Sequence, residues 1–222
     1  MDSFIVCCGV GNGDISNSLL KNSEFALPTD LAIKFETADL WLSAAIDALK
    51  PHFKHAGYEI PAVRASVGWT SAGVHGHRIG ECWSSRASSD GVNAIYINTT
   101  LANSMHVLDV LAHELVHAVD DCQHKHGREF SKIGKAVGLK GPPWRSACAD
   151  IPLLRALHDI ALDLGHLPYG VIRKPSPAYR EVRSGRVTCP ECGFTCRTLT
   201  GWLGKGHPLC PTHKVPLLAD WE

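Results

Sequence analysis

The chain has 222 residues, 45% of them apolar and 20% charged, enough apolar content for one main core with a small appendage, and this excludes a chain unstructured in bulk. Lys and Arg (22) balance Asp and Glu (22), so net charge alone points to no anionic partner, and no run of about 18 apolar residues exists to span a membrane. Four of the nine cysteines crowd into residues 189–210 and the other five, Cys7, Cys8, Cys82, Cys122 and Cys148, are scattered. An odd, clustered set argues against a disulfide framework and for a reducing cytoplasm.

The opening Met1-Asp2-Ser3-Phe4-Ile5-Val6-Cys7-Cys8 is acidic and its apolar run is too short for a signal peptide. Residues 1–28 are read as a loosely ordered extension. Over residues 30–49, Leu31, Phe35, Leu40, Trp41, Ala44, Ala45 and Leu49 recur at roughly helical spacing, and Pro51 is expected to end the run. Val63, Ala65, Val67 and Trp69 then alternate with polar or small residues as in a half-buried strand. Ile79 to Ser84 and Ala94 to Thr99 read as two more strands, joined by a polar loop. The three predict a short, mainly antiparallel sheet beside the helices, whose edge could hold an extended peptide by strand addition.

From Ser104 onward, Val107, Leu108, Leu111, Ala112, Leu115, Val116 and Val119 form one apolar stripe, and Asn103 or Ser104 can cap its start. On this helix lies His113-Glu114-Leu115-Val116-His117, an H-E-x-x-H motif. At about 100° per residue, positions i and i+4 return to one face, so both imidazoles can ligate one zinc ion. Glu114, one residue round, is placed for a general base. A catalytic zinc takes a third protein ligand. Gln123 stands where the metzincin pattern requires histidine, and the chain continues with His124-Lys125-His126-Gly127. His126 is preferred because a glycine follows it directly, with His124 the competitor. Phe130, Ile133 and Val137 give a second short helix stopped by Gly138. Asp120, one turn past His117, is a candidate to orient a ligand imidazole. His75, His77 and His106 are read as solvated or hydrogen-bonded bystanders.

After Pro142-Pro143, Ile151, Leu154, Leu157, Ile160, Ala161 and Leu164 predict an amphipathic helix over 150–164 ending at Gly165. Residues 167–187, rich in Pro and Arg, read as a basic linker. Cys189-Pro-Glu-Cys192 and Cys210-Pro-Thr-His213 come next, separated by seventeen residues. Two such knuckles make a zinc ribbon over 188–222, a closed four-ligand site whose metal supplies much of the fold's stability. Cys196 is read as a spare thiol and His207 as a nearby competitor. Residues 1–166 hold 14 Lys and Arg against 18 Asp and Glu, while residues 167–222 hold 8 against 4. This tail has an electrostatic reason to approach phosphates, and Trp202 could stack on a base.

His113-Glu-Leu-Val-His117, then His126-Gly-Arg-Glu-Phe130, then Gly138-Leu139 resembles the SprT/Spartan family of zinc metalloproteases. Ile79-Gly-Glu-Cys-Trp83, Asp90-Gly-Val-Asn93 before Ile95-Tyr-Ile97, Leu164-Gly165 and the terminal ribbon extend the resemblance over about residues 35–220, toward SprT-like proteins of phages and bacteria. It implies an α+β, zincin-like catalytic domain over 29–166 and two zinc ions, one catalytic and one structural. It also implies an endopeptidase acting, as a monomer in a bacterial or infected-host cytoplasm, on proteins at or crosslinked to single-stranded or damaged DNA. The competing readings are a nucleic-acid- or polymerase-binding ribbon on a non-catalytic scaffold, against which an intact Glu114 argues, and a zinc hydrolase of a non-peptide substrate.

Overall fold

A computed structural model describes residues 5–9, 23–74, 76–142, 144, 147–172 and 184–219, with backbone alone for 5–9 and 23. The chain divides into two units, residues 1–174 and 175–222. The first combines helices with a small mixed sheet. No helix among the described residues is long and apolar enough to cross a membrane.

Strand β1 (Ile5–Gly9) precedes a short 3-10 turn (Ser23–Phe25) and helix α1 (Ala38–His55). The segment expected to be loose thus supplies a strand, since Ile-Val-Cys-Cys favours extended backbone and β3 offers an edge to pair with. Helix α1 begins at the Thr37 cap, whose hydroxyl accepts from the Leu40 N–H, so Leu31 and Phe35 lie before it; Ile33 instead bridges Gly165. The helix also runs through Pro51. Trp41, Ala45, Leu49 and Phe53 fall every four residues and are fully buried, and seating Phe53 outweighs the hydrogen bond that proline forfeits.

Strands β2 (Val63–Gly68), β3 (Arg78–Trp83) and β4 (Asn93–Asn98) match the three expected. The sheet order is β1-β3-β4-β2, with β1 and β4 antiparallel to β3 but β2 parallel to β4. The long loop after β2 crosses over to place β3 beyond β4, a step a tight hairpin forbids. That loop is pinned by Glu81, a buried carboxylate that accepts from the Ser71 N–H (2.9 Å), the Ser71 hydroxyl (2.8 Å) and Trp83 Nε1 (3.1 Å).

Helix α2 (Ser104–Val119), capped by the Asn103 side chain, packs under β3 and β4 and carries the H-E-x-x-H motif. It is buried on nearly every face, because the sheet covers one side and helix α4 (Ile151–Leu164) another. Helix α3 (Arg128–Val137) ends where Gly138 takes a left-handed turn at φ 95°, and a two-stranded ladder of β5 (Leu139–Lys140) and β6 (Cys148–Ala149) leads into α4. Asp150 caps α4 through the Leu153 N–H. Residues 167–172, assigned to the linker on their charge and prolines, belong instead to this unit: Leu167 is buried with its N–H on Ser104 Oγ, and the Ile172 N–H bonds the Thr99 carbonyl.

In the second unit, β7 (Ser184–Thr188) pairs antiparallel with β8 (Thr195–Leu199) and with β9 (Leu218–Ala219), and a single-turn helix α5 (Thr200–Leu203) comes after β8. Ser184–Val187, inside the stretch expected to be linker, thus belong to the ribbon's first strand, with Val187 in its core; the remainder of that stretch, 173–183, lies outside the described residues. Among its described residues, those buried are Val187, Cys189, Cys210 and Leu217.

Candidate metal centres

His113 and His117 leave α2 on one face, and the loop from Asp120 to Gly127 returns His126 to them. That loop turns through three non-glycine residues of positive φ, Asp121 (45°), Cys122 (59°) and Lys125 (49°). Each costs of order 1 kcal/mol, so the surroundings must over-determine them. Asp121 Oδ1 accepts from the Ser85 N–H (2.7 Å) and Asn93 Nδ2 (3.0 Å), tying the turn to the sheet. Cys122 Sγ donates to the Cys82 carbonyl at 3.4 Å. The Cys122 hydrogen bond, then burial, pushes the Cys82 thiol well above its usual range, which makes it an inert core residue.

The result is that His126 Nε2 lies 3.3 Å from His113 Nε2 and 3.2 Å from His117 Nε2. Three nitrogens set about 2.0–2.1 Å from one tetrahedral ion are about 3.3 Å apart, so the spacing fits a shared metal. The Ala147 carbonyl can only accept, so His113 Nδ1 (3.2 Å away) carries the proton and Nε2 keeps its lone pair for the metal. Burial first, then the His126 ring, brings the His113 pKa down to about 3, and burial with both neighbouring rings brings His117 well below its ordinary value. Both imidazoles are neutral at neutral pH, as ligands must be. Phe130 of α3 stacks on the set, its ring 4.3 Å from that of His117 and 5.0 Å from that of His113.

His124 lies outside the cluster. It is exposed, and its Nδ1 bonds Asp120 Oδ1 at 2.7 Å. Asp120, expected as a candidate to orient a ligand, serves His124 instead, its carboxylate taken by the His124 ring and the His124 N–H (2.9 Å), while His117 Nδ1 is buried without a hydrogen-bond partner among the described residues. Among the other histidines set aside, His77 and His106 stand outside both clusters and His75 lies outside the described residues.

Glu114 is fully buried and lies on the sheet side of α2. Gly80 of β3 makes room for it: a Cβ there would meet Glu114 Oε1 at 2.8 Å and Val110 Cγ1 at 2.6 Å. A glycine interrupting the otherwise bulky strand Arg78–Trp83 is a sequence sign of such close approach. Asp109 lies about one turn before His113 on α2 and is buried. Its Oδ1 accepts from the Ala149 N–H at 2.7 Å, so α2 holds the 147–149 segment twice, through Asp109 and through His113.

Burial, opposed by that N–H, raises the Asp109 carboxyl from 3.8 to about 7. A raised folded-state pKa gives stability present below 3.8 and lost as pH rises through 7. Asp109→Asn should therefore raise the melting temperature at pH 8 and change it little at pH 4. Equal effects at both values would remove the buried charge from the account.

In the second unit, Cys189, Cys192, Cys210 and His213 bring their ligand atoms together, with Cys192 Sγ to Cys210 Sγ 3.7 Å and Cys210 Sγ to His213 Nδ1 3.7 Å. Metal–sulfur bonds of about 2.3 Å in a tetrahedron put sulfurs about 3.8 Å apart. Each knuckle is a tight turn: the Gly193 N–H bonds the Cys189 carbonyl and the Lys214 N–H bonds the Cys210 carbonyl, with Gly193 and Lys214 at positive φ. Cys196 and His207 stay outside, the latter with Nδ1 on the Leu217 carbonyl.

No family model, curated protein or solved structure matches the chain. Two sets of residues that could hold a metal ion are nevertheless explicit among the described residues, and they share no member. Elemental analysis of metal-replete protein should return about two equivalents. His126→Ala should return one and His124→Ala two; the reverse would transfer the third ligand to His124.

Proposed function

We propose that the chain is a zinc endopeptidase of the SprT-like type, with a zincin-like core and a zinc ribbon, acting on proteins at DNA. The observation that carries this reading is the convergence of three imidazole Nε2 atoms, with His126 3.2–3.3 Å from the other two, beside a buried carboxylate on the same helix. An all-histidine set of three suits catalytic zinc, and the Cys3His set of the ribbon suits structural zinc. When bound, the catalytic ion supplies Lewis-acid chemistry, lowering the pKa of a water and polarising the scissile carbonyl.

The chain's own residues do the rest. Glu114 accepts a proton from the attacking water and delivers it to the departing amine. Gly80 leaves the space in which that carboxylate sits, and Phe130 keeps bulk water from the backs of the ligand rings. The Ala147 carbonyl fixes the proton of His113 on Nδ1.

Two features of the ribbon support a nucleic-acid partner. Arg186 and Arg197 face each other across β7 and β8, both exposed, and like charges directly opposite destabilise a sheet unless an anion lies over them. Trp202 is 58% exposed with Lys205 Nζ 4.5 Å from its ring centre, an arrangement suited to stacking a base beside a phosphate. The test is hydrolysis of an unfolded protein substrate with and without single-stranded DNA over a salt series. Cleavage stimulated by DNA, with the stimulation fading as salt rises, is expected. Cleavage indifferent to both would keep the peptidase and remove DNA; no cleavage under any condition would remove the peptidase.

A further inference from the structure

Strand β3 comes close to Glu114 at Gly80, whose missing side chain is the space the carboxylate fills. The backbone of β3 at this point is therefore the natural rail for an extended peptide brought to the catalytic group. One edge of β3 is taken by β4. An open second edge would present a row of unpaired N–H and C=O groups beside the site, a template for strand addition. That edge is not open. It is occupied by β1, antiparallel, in the register Ile5↔Trp83, Val6↔Cys82, Cys7↔Glu81 and Cys8↔Gly80, and β1 also approaches α2.

The pairing is regular up to Gly80 and then breaks. Gly9 pairs with Arg78, so Ile79 is passed over and the ladder is irregular between Cys8 and Gly9. Such breaks end pairing or re-aim a chain, and they concentrate next to active sites. This one falls opposite the strand position that backs onto Glu114. With neighbouring strands about 4.8 Å apart, the β1 backbone at Cys8 lies one strand spacing from Gly80. A peptide substrate aligned on β3 needs the same backbone groups, and each can serve only one partner.

We propose that β1 is a built-in pseudosubstrate: Ile5–Gly9 occupies the strand-addition site on β3 meant for the substrate backbone, and a protein substrate engages only when β1 is displaced. The proposal rests on the endopeptidase reading for its meaning, but its binding half can be measured without catalysis.

The experiment uses the full, metal-replete chain. In a Glu114→Gln background, a fluorescent peptide with the sequence of residues 3–11 is titrated against the parent and against Val6→Pro/Cys7→Pro; successive N–H groups of a strand face opposite sides, so one of the two prolines removes a ladder bond to β3. The apparent affinity of a site open only part of the time is reduced by the open fraction, so the proline variant should bind at least about fivefold more tightly. With Glu114 present, the same substitutions should raise kcat/KM on an unfolded protein substrate by a similar factor through KM, with kcat unchanged. Because proline in a strand can also disturb folding, a second measurement uses the Glu114→Gln chain alone. Saturating unlabelled peptide should speed amide hydrogen exchange in residues 5–9 and leave residues 78–83 protected.

Unchanged exchange in residues 5–9, or equal affinity with metal content intact, overturns the proposal. Tighter binding together with accelerated exchange, but no hydrolysis by any chain retaining Glu114, keeps the strand site and removes the peptidase reading. Hydrolysis with neither change does the reverse.

Discussion

Glu114→Gln should leave both metal ions bound and lower peptide hydrolysis by at least about 10²-fold. The substitution keeps the size and most of the hydrogen bonding of a side chain that is fully buried against Gly80, so the helix, the sheet and the three imidazoles keep their places. What it removes is the capacity to take a proton. Glu114 lies outside the ligand cluster of His113, His117 and His126, so the loss falls on the chemical step and spares the metal. Kinetically the loss should appear in kcat, with KM nearly unchanged. The check pairs elemental analysis with single-turnover cleavage of an unfolded protein. A variant that kept its activity would take the proton transfer away from Glu114, and one that lost an equivalent of metal would make the carboxylate a structural part of the site.

Stripping metal from the ribbon should unfold residues 184–219 while the helices of the first unit stay folded. Among the described residues four are buried in that core, Val187, Cys189, Cys210 and Leu217, and two of them belong to the candidate ligand set. So small a core cannot offset the entropy of ordering its strands, whereas structural zinc contributes about 10–16 kcal/mol at neutral pH. The site is prepared for the ion. The His213 N–H, working against burial and assisted by the Thr212 N–H, brings the Cys210 thiol down to about 6, so it is largely thiolate at neutral pH. Cys210→Ser and a strong chelator should give the same outcome, loss of dispersed amide resonances confined to residues 184–219. A ribbon that kept its resonances without metal would show that its fold is carried by the strands.

The residues of the two candidate metal sets were legible because their relations are local. An i, i+4 histidine pair on an apolar-striped helix is fixed by helical geometry, and Gly127 after His126 marked where the chain could turn back. The two knuckles declared themselves by spacing. What escaped is what distant parts of the chain decide. Pro51 reads as a stop, but the burial of Phe53 four residues after Leu49 carries α1 through it. The alternation in Val63–Gly68 identifies a strand and says nothing of its partner, so the parallel register with β4 could not be foreseen. Asp120 looked suited to orient a ligand until the loop placed His124 within 2.7 Å of it. Asp109 and Gly80 act only against Ala149 and Glu114, which lie far away in sequence.

His113, His117 and His126 all fall within residues 113–126, on one helix and the turn that follows it. Closing so short a loop costs little chain entropy, and a helix with an adjoining turn forms faster than a sheet of distant strands. The ion can therefore be gripped early, while β1 to β4 are still searching for their register, and bound metal would then anchor α2 as the template on which the sheet condenses. Refolding begun with zinc present should be faster than refolding followed by zinc addition.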